Sequence, residues 1–214
     1  MKPALATYGA ALRQAASGEA TPVDLLAPGG LSVVQMDAAH WCSDRRPGDE
    51  SLLDTCTGST LDVGCGPGRL VIALAQRGVP ALGIDISGEA VAQAQHRGAA
   101  VRLCDVFSEV PDEGWWAHVL LADGNIGIGG DPAALLRRCA RLLRPRGTLV
   151  AELGSPGSGT WRRPVRMRHN GKDSAPFWWA AVAAEDLCQV AEQAALEIVA
   201  QWTAAGRWFA RLST

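Results

Sequence analysis

Lysine is nearly absent from this chain. Lys2 and Lys172 are the only two among 20 basic residues, so eighteen are arginine. Neither lysine permits a GxxxxGK[ST] phosphate loop: Lys2 follows Met1, and Lys172, though it follows Gly171, is followed by Asp173 and has Arg166 where the first glycine would stand. The six cysteines (Cys42, Cys56, Cys65, Cys104, Cys139 and Cys188) never form a CxxC pair and never sit beside a histidine cluster. Neither a zinc site nor a compact disulfide framework is therefore expected, and reduced thiols are. No apolar run approaches the ~18 residues that cross a bilayer. At the N-terminus Lys2 is followed by alanine-rich sequence broken by Thr7, Tyr8, Gly9 and Arg13, a poor signal-peptide core. Strong charge is also missing: 20 basic against 22 acidic residues leave a net charge of −2. These absences predict a cytoplasmic protein without membrane or nucleic-acid contact, a monomer or homodimer whose partner is a small molecule.

What is present is the alternation of a doubly wound α/β domain. With 48% hydrophobic residues in 214, the chain has the size of one such domain. Short, nearly continuous apolar runs occur at 60–64 (TLDVG), 81–86 (ALGIDI), 101–106 (VRLCDV), 117–123 (AHVLLAD) and 148–153 (TLVAEL), as expected of strands covered on both faces. Helical patterns lie between them at 69–77, 88–97 and 132–143. Ser87 is placed to cap the second of these and Asp131 the third, with Pro132 at the first helical position, where its missing N–H costs nothing. The third ends in RPRG, a cationic last turn and stop. Beyond the fifth strand, Asn170-Gly171 between alternating residues predicts a hairpin flap near 160–178. A helix near 183–195 and two antiparallel strands, 196–202 and 207–213, follow. Residues 1–58 read as a helical and loop-like segment that closes over residues 59–214, with helices at 4–16 and 49–56.

The turn LDVGCGPG puts Gly64, Gly66 and Gly68 between the first strand and the first helix, where backbone meets a ligand closely. A dinucleotide would require GxGxxG, but position 69 is Arg69, and Pro67 withholds an N–H that a pyrophosphate would use. A nucleoside cofactor without phosphates loses nothing by this. S-adenosyl-L-methionine is such a cofactor, and Asp85, at the end of the second strand, is placed to accept the ribose hydroxyls.

The series LDVGCGPGRL, GIDIS and LCDVF, each at a strand's carboxyl end, resembles the class I S-adenosylmethionine-dependent methyltransferases of the bacterial small-molecule type. The resemblance implies a Rossmann-like, mostly parallel sheet with an antiparallel C-terminal strand in a three-layer α/β/α arrangement. It also implies that Gly64, Cys65 and Gly66 flank the methionine moiety and that Asp62 anchors its ammonium group. Asp85 with Ile86 would hold the ribose, and Asp105 with Val106 the adenine. The segment after the fourth strand, DGNIGIGGDP, would face the transferred methyl through Asp123 and Asn125. Asp123 thus counts for cofactor binding and, with Asn125 and His40, as a catalytic candidate; His169 is a further possible base. Gly127 and Gly129, with Glu152 as acidic partner, have the spacing of a second dinucleotide turn, but the loop is long for one and its strand stands fourth, where the order reverses, so the segment is assigned to the substrate. Trp41, Trp161, Trp178 and Trp179 could form an aromatic lid, and Arg162, Arg163, Arg166 and Arg168 read as the solvated face of the flap. The function expected is methyl transfer to an oxygen or nitrogen of a metabolite; the alternatives are a non-catalytic cofactor-binding module and, behind it, an NAD-dependent oxidoreductase.

Overall fold

The structure, a computed structural model, describes residues 2–214. The chain opens with α1 (Lys2–Ala15), β1 (Pro22–Leu26), β2 (Ser32–Asp37), α2 (Ala38–Cys42) and α3 (Asp49–Leu53). The alternating body follows as β3 (Thr60–Val63), α4 (Arg69–Gln76), β4 (Ala81–Asp85), α5 (Gly88–His96), β5 (Val101–Leu103), β6 (Trp116–Leu121), α6 (Pro132–Leu142) and β7 (Leu143–Leu153). The flap is β8 (Trp161–His169), β9 (Lys172–Asp173) and β10 (Phe177–Ala181), and the chain closes with α7 (Leu187–Gln193), β11 (Glu197–Ala204) and β12 (Arg207–Ser213).

The main sheet has seven strands in the order β11-β12-β7-β6-β3-β4-β5. β3 to β7 run parallel, and β12 is antiparallel to both β7 and β11. Helices cover both faces. On one, Leu135, Leu136, Cys139 and Leu142 of α6 form a stripe of helical spacing against Val119, Leu121 and Leu149. On the other, Leu70 and Leu74 of α4 pack with Leu52, Val150 and Phe209. The caps expected at Ser87 and Asp131 are made, to the N–H groups of Ala90 and Ala134. Order reverses between β3 and β6, so the loops after these two strands share one crevice.

The N-terminal segment differs from its helical expectation, because β1 and β2 form an antiparallel pair around Pro28-Gly29-Gly30. β1 also pairs with β8, which pairs with β10, giving a second sheet of order β10-β8-β1-β2. The flap and the N-terminal segment are thus one antiparallel roof over the carboxyl edge of the main sheet. Its core is Val23, Leu25, Val165 and Met167 beneath Ala11 and Ala15 of α1. Two boundaries shift as well. RPRG lies inside β7 as a bulge with Arg146 at φ 63° rather than in the last turn of α6. The last helix is shorter than expected and is preceded by a 3-10 turn at Ala184–Asp186.

Roof and edge meet at the second glycine stretch, a 3-10 segment over Asn125–Gly130. A Cβ on Gly127 would lie 2.1 Å from the Ala180 carbonyl oxygen and 2.7 Å from Trp179 Nε1. That glycine serves close backbone approach, and the second dinucleotide reading falls, because β10 occupies the space a phosphate would need. Gly127→Ala should therefore destabilise the protein by about 1–3 kcal/mol through overpacking, read as a lower urea midpoint with an unchanged slope.

Candidate active site

The carboxyl ends of β3, β4, β5 and β6 open into a cavity of about 230 Å³ beneath the roof. In the turn after β3, the N–H groups of Gly64 and Cys65 both donate to Ile84 O, at 2.8 and 3.1 Å. That of Gly66 donates to Asp85 Oδ2 at 3.0 Å, and that of Gly68 to Cys65 O at 3.0 Å. Pro67 has none. Every N–H from Gly64 to Gly68 is thus engaged within the protein, and the ring of donors that would hold a phosphate is missing. Arg69 and Pro67 announced this; the structure supplies its cause.

Two buried carboxylates face the cavity from these turns. Asp85 takes N–H groups from Gly66 and Ser87, one on each oxygen. Burial raises its pKa, against the pull of these donors. Asp62, 2% exposed, lines the cavity with no hydrogen bond to its carboxylate from any described residue. Burial, reinforced by Asp123 and Asp85 and opposed by Arg69, lifts its pKa to about 7. An unpartnered buried carboxylate is costly, and this one lies where a cationic group would relieve it. Cys65, Ile86, Asp105 and Val106 line the same cavity. Asp105 also caps its own turn by accepting the Phe107 N–H at 3.0 Å. The loop from Val106 to Ser108 is held from behind by Arg138, whose guanidinium donates to both of their carbonyls at 2.7 and 2.8 Å and pairs with Glu113. Arg138 had no signal in the sequence beyond its place in α6, since a buried arginine looks like any other on a helix.

The catalytic candidates separate. Asp123 reaches the cavity, but its oxygens accept from Arg46 at 2.6 Å, Arg69 at 2.5 Å and Arg207 at 3.3 Å. These belong to a buried cluster in which Arg69 and Arg207 also bind Asp49, and Arg207 binds Glu152 at 2.8 Å. Burial raises the Asp49 carboxyl, but Arg69, Arg207 and the Arg46 N–H outweigh it and bring the pKa below the ordinary value. Asp123 is therefore a strut and offers no free oxygen as a base. Asn125 donates from Nδ2 to Val63 O at 3.0 Å and Gly64 O at 2.9 Å, joining the two glycine stretches. A Cβ on Gly64 would approach that nitrogen to 2.8 Å, and the residue stands at φ 72°, so both space and backbone require glycine. His40 is corrected: it is exposed on α2, outside the cavity, beside Asp37. His169 is buried in the flap with Nδ1 3.3 Å from Pro22 O, a packing role.

The roof contributes what sequence reasoning missed. Tyr8, the one tyrosine of the chain, extends from α1 until its hydroxyl lies 3.2 Å from where a Gly66 Cβ would be. Burial, with Asp85 close by, holds that hydroxyl protonated far above the usual range. Trp41, Trp178 and Trp179 line the cavity as well, whereas Trp161 packs beside it under Arg163. Trp202 stacks on Phe209 in the C-terminal hairpin. Among the described residues, the flap arginines stay outside the cavity; Arg168 pairs with Asp173 and Arg162 lies over Trp178.

Residues 60–147 match a family described as "Methyltransferase domain". The match spans 88 of the 214 residues, from β3 into β7. The chain is similar to the ubiquinone biosynthesis O-methyltransferases of Methylococcus capsulatus (33% identical over 101 residues, 42% of this chain and 40% of that protein) and Rhodopseudomonas palustris (29% over 138 residues, 63% and 53%). The chain thus spans about half the length of these curated relatives. In three dimensions it is similar to a SAM-dependent methyltransferase from Bacteroides fragilis solved with S-adenosyl-L-homocysteine, with a TM-score of 0.79, 22% identity, and 99% and 96% of the two chains covered. The methyltransferase fold extends across the roof as well as the sheet.

The residues present fit S-adenosyl-L-methionine. Asp62 lacks a cation, Asp85 keeps lone pairs toward the cavity, and the turn between them has no place for phosphate. A group whose folded pKa is raised stabilises below its unfolded value and loses that contribution as pH rises through the folded value. Ligand-free protein should therefore lose thermal stability between about pH 4 and pH 8 as Asp62 ionises in its buried site. Asp62→Asn should flatten that profile and raise stability at pH 8 by roughly 1–3 kcal/mol, while weakening the cofactor; melts across pH with and without S-adenosylhomocysteine check both.

Proposed function

We propose that this protein transfers a methyl group from S-adenosyl-L-methionine to an oxygen or nitrogen of a small molecule enclosed beneath the roof. The observation that carries the reading is the unpartnered Asp62 carboxylate beside a glycine turn whose N–H groups are all engaged. Asp62 would hold the cofactor's ammonium, Asp85 its ribose hydroxyls, and Asp105 with the Val106 loop its adenine. Asp123 acts by keeping Arg69 and the post-β6 loop in place, and Asn125 by fixing that loop to Gly64. When bound, the cofactor supplies a methyl on a positive sulfonium, which needs no further activation. The protein's share is alignment and exclusion of water, worth up to about 7–11 kcal/mol of a bimolecular barrier. Tyr8, held protonated, serves as a donor and not as a base. The cavity between sheet and roof supports an enzyme over a purely structural cofactor module, because the space beside the cofactor turns is open to a second molecule.

Calorimetric titration with S-adenosylhomocysteine should give binding at a stoichiometry of one. Asp85→Ala should weaken it by about 10- to 100-fold, the loss of charged hydrogen bonds of about 1.5–3 kcal/mol. Wild-type protein that binds neither S-adenosylmethionine nor S-adenosylhomocysteine would remove the proposal.

A further inference from the structure

We infer that the acceptor is a planar aromatic molecule bearing no negative charge, held among Tyr8, Trp41, Phe177 and Trp179. What happens to that molecule rests on the methyl-transfer reading; its binding does not.

The first support is the arrangement of rings. Tyr8 and Trp41 meet edge to face with centroids 5.6 Å apart, and so do Phe177 and Trp179 at 6.0 Å. One pair comes from the N-terminal segment and the other from β10, and all four side chains line the same cavity. Each is only half-buried, although all belong to or pack on the apolar core of the roof. In that position a ring leaves surface toward the cavity. Met36 and Met167 add polarisable thioethers to the same wall. A wall of this kind favours a flat π system, which meets ring faces and edges in the offset and T-shaped geometries, over an aliphatic body of equal size.

The second support is charge. Among the described residues no lysine or histidine lines the cavity. The one arginine that does, Arg69, already binds Asp49 and Asp123. Against it stand Asp62, Asp85 and Asp105. An anionic acceptor would give up its hydration, find no free counter-ion and face carboxylates. The arginines of the flap cannot help it, because they lie outside. Tyr8 contributes the wall's hydroxyl, which has no hydrogen-bond partner among the described residues and can orient a ring substituent.

The test compares three probes of one carbon frame at pH 7: 2-naphthol, decahydro-2-naphthol and 2-naphthoate. Each is titrated by calorimetry or ligand-observed NMR into the protein with and without S-adenosylhomocysteine. 2-Naphthol should bind about fivefold more tightly than its saturated analogue and roughly tenfold more tightly than the carboxylate. Trp41→Leu and Trp179→Leu, each shown to melt cooperatively, should weaken 2-naphthol about fivefold. Equal or tighter binding of either comparison probe, or no effect of both substitutions, overturns the inference. Protein that binds S-adenosylhomocysteine but not 2-naphthol at millimolar concentration overturns it and leaves methyl transfer standing. Protein that binds 2-naphthol selectively but no S-adenosylhomocysteine keeps the aromatic chamber and removes methyl transfer.

Discussion

Five side chains, four of them buried, hold the whole site in register at one edge of the sheet. Arg69 and Arg207 lie between Asp49, Asp123 and Glu152, with Arg46 closing the cluster from the solvent side. Ionised groups at such depth survive only when each is matched, and here the matching partners come from five places in the chain. The start of α3, the start of α4, the loop after β6, the end of β7 and the start of β12 all contribute. The cluster therefore converts electrostatic neutrality into geometry: none of these segments can shift without exposing an unmatched charge in its neighbours.

That constraint explains the division of labour between the two glycine stretches. The first is a cradle whose own N–H groups are tied to Ile84 and Asp85, so its shape is set before a ligand arrives. The second is a platform, fastened to the cradle through Asn125 and pressed against β10 at Gly127. Between them stays a single carboxylate, Asp62, that no side chain or N–H among the described residues satisfies. The local instability it causes is of the kind expected where a protein keeps a group in readiness for something it binds.

Much of this was legible from the residues. The main sheet could be read because its strands are apolar on both faces and its helices are capped by Ser87 and Asp131, signals that are local in the chain. The cofactor turns could be read because Arg69 and Pro67 contradict a phosphate site. The roof could not. β1 and β2 are short and half-exposed, and their pairing with β8 joins residues far apart in sequence. Asp123 and Asn125 line the cavity, but their chemistry depends on guanidiniums and carbonyls contributed from elsewhere. His40 drew notice through its residue type alone, and orientation on a short helix carries no periodic signature. Tyr8 was overlooked for the opposite reason, as one aromatic in an alanine-rich helix.

The cluster also bears on how the molecule comes to be made. Asp49 and Arg207 are bound to each other across 158 residues of sequence. A contact that distant forms late, since the intervening chain must first be organised before closing so large a loop is rewarded. The central strands and their helices can assemble through nearer contacts, but the charge cluster is incomplete until the final hairpin has docked and Arg207 reaches Asp49 and Glu152. The setting of the cluster is thus completed in the last stage of folding, and a chain halted before that stage would hold a formed cradle with Glu152 short of the Arg207 guanidinium that matches it.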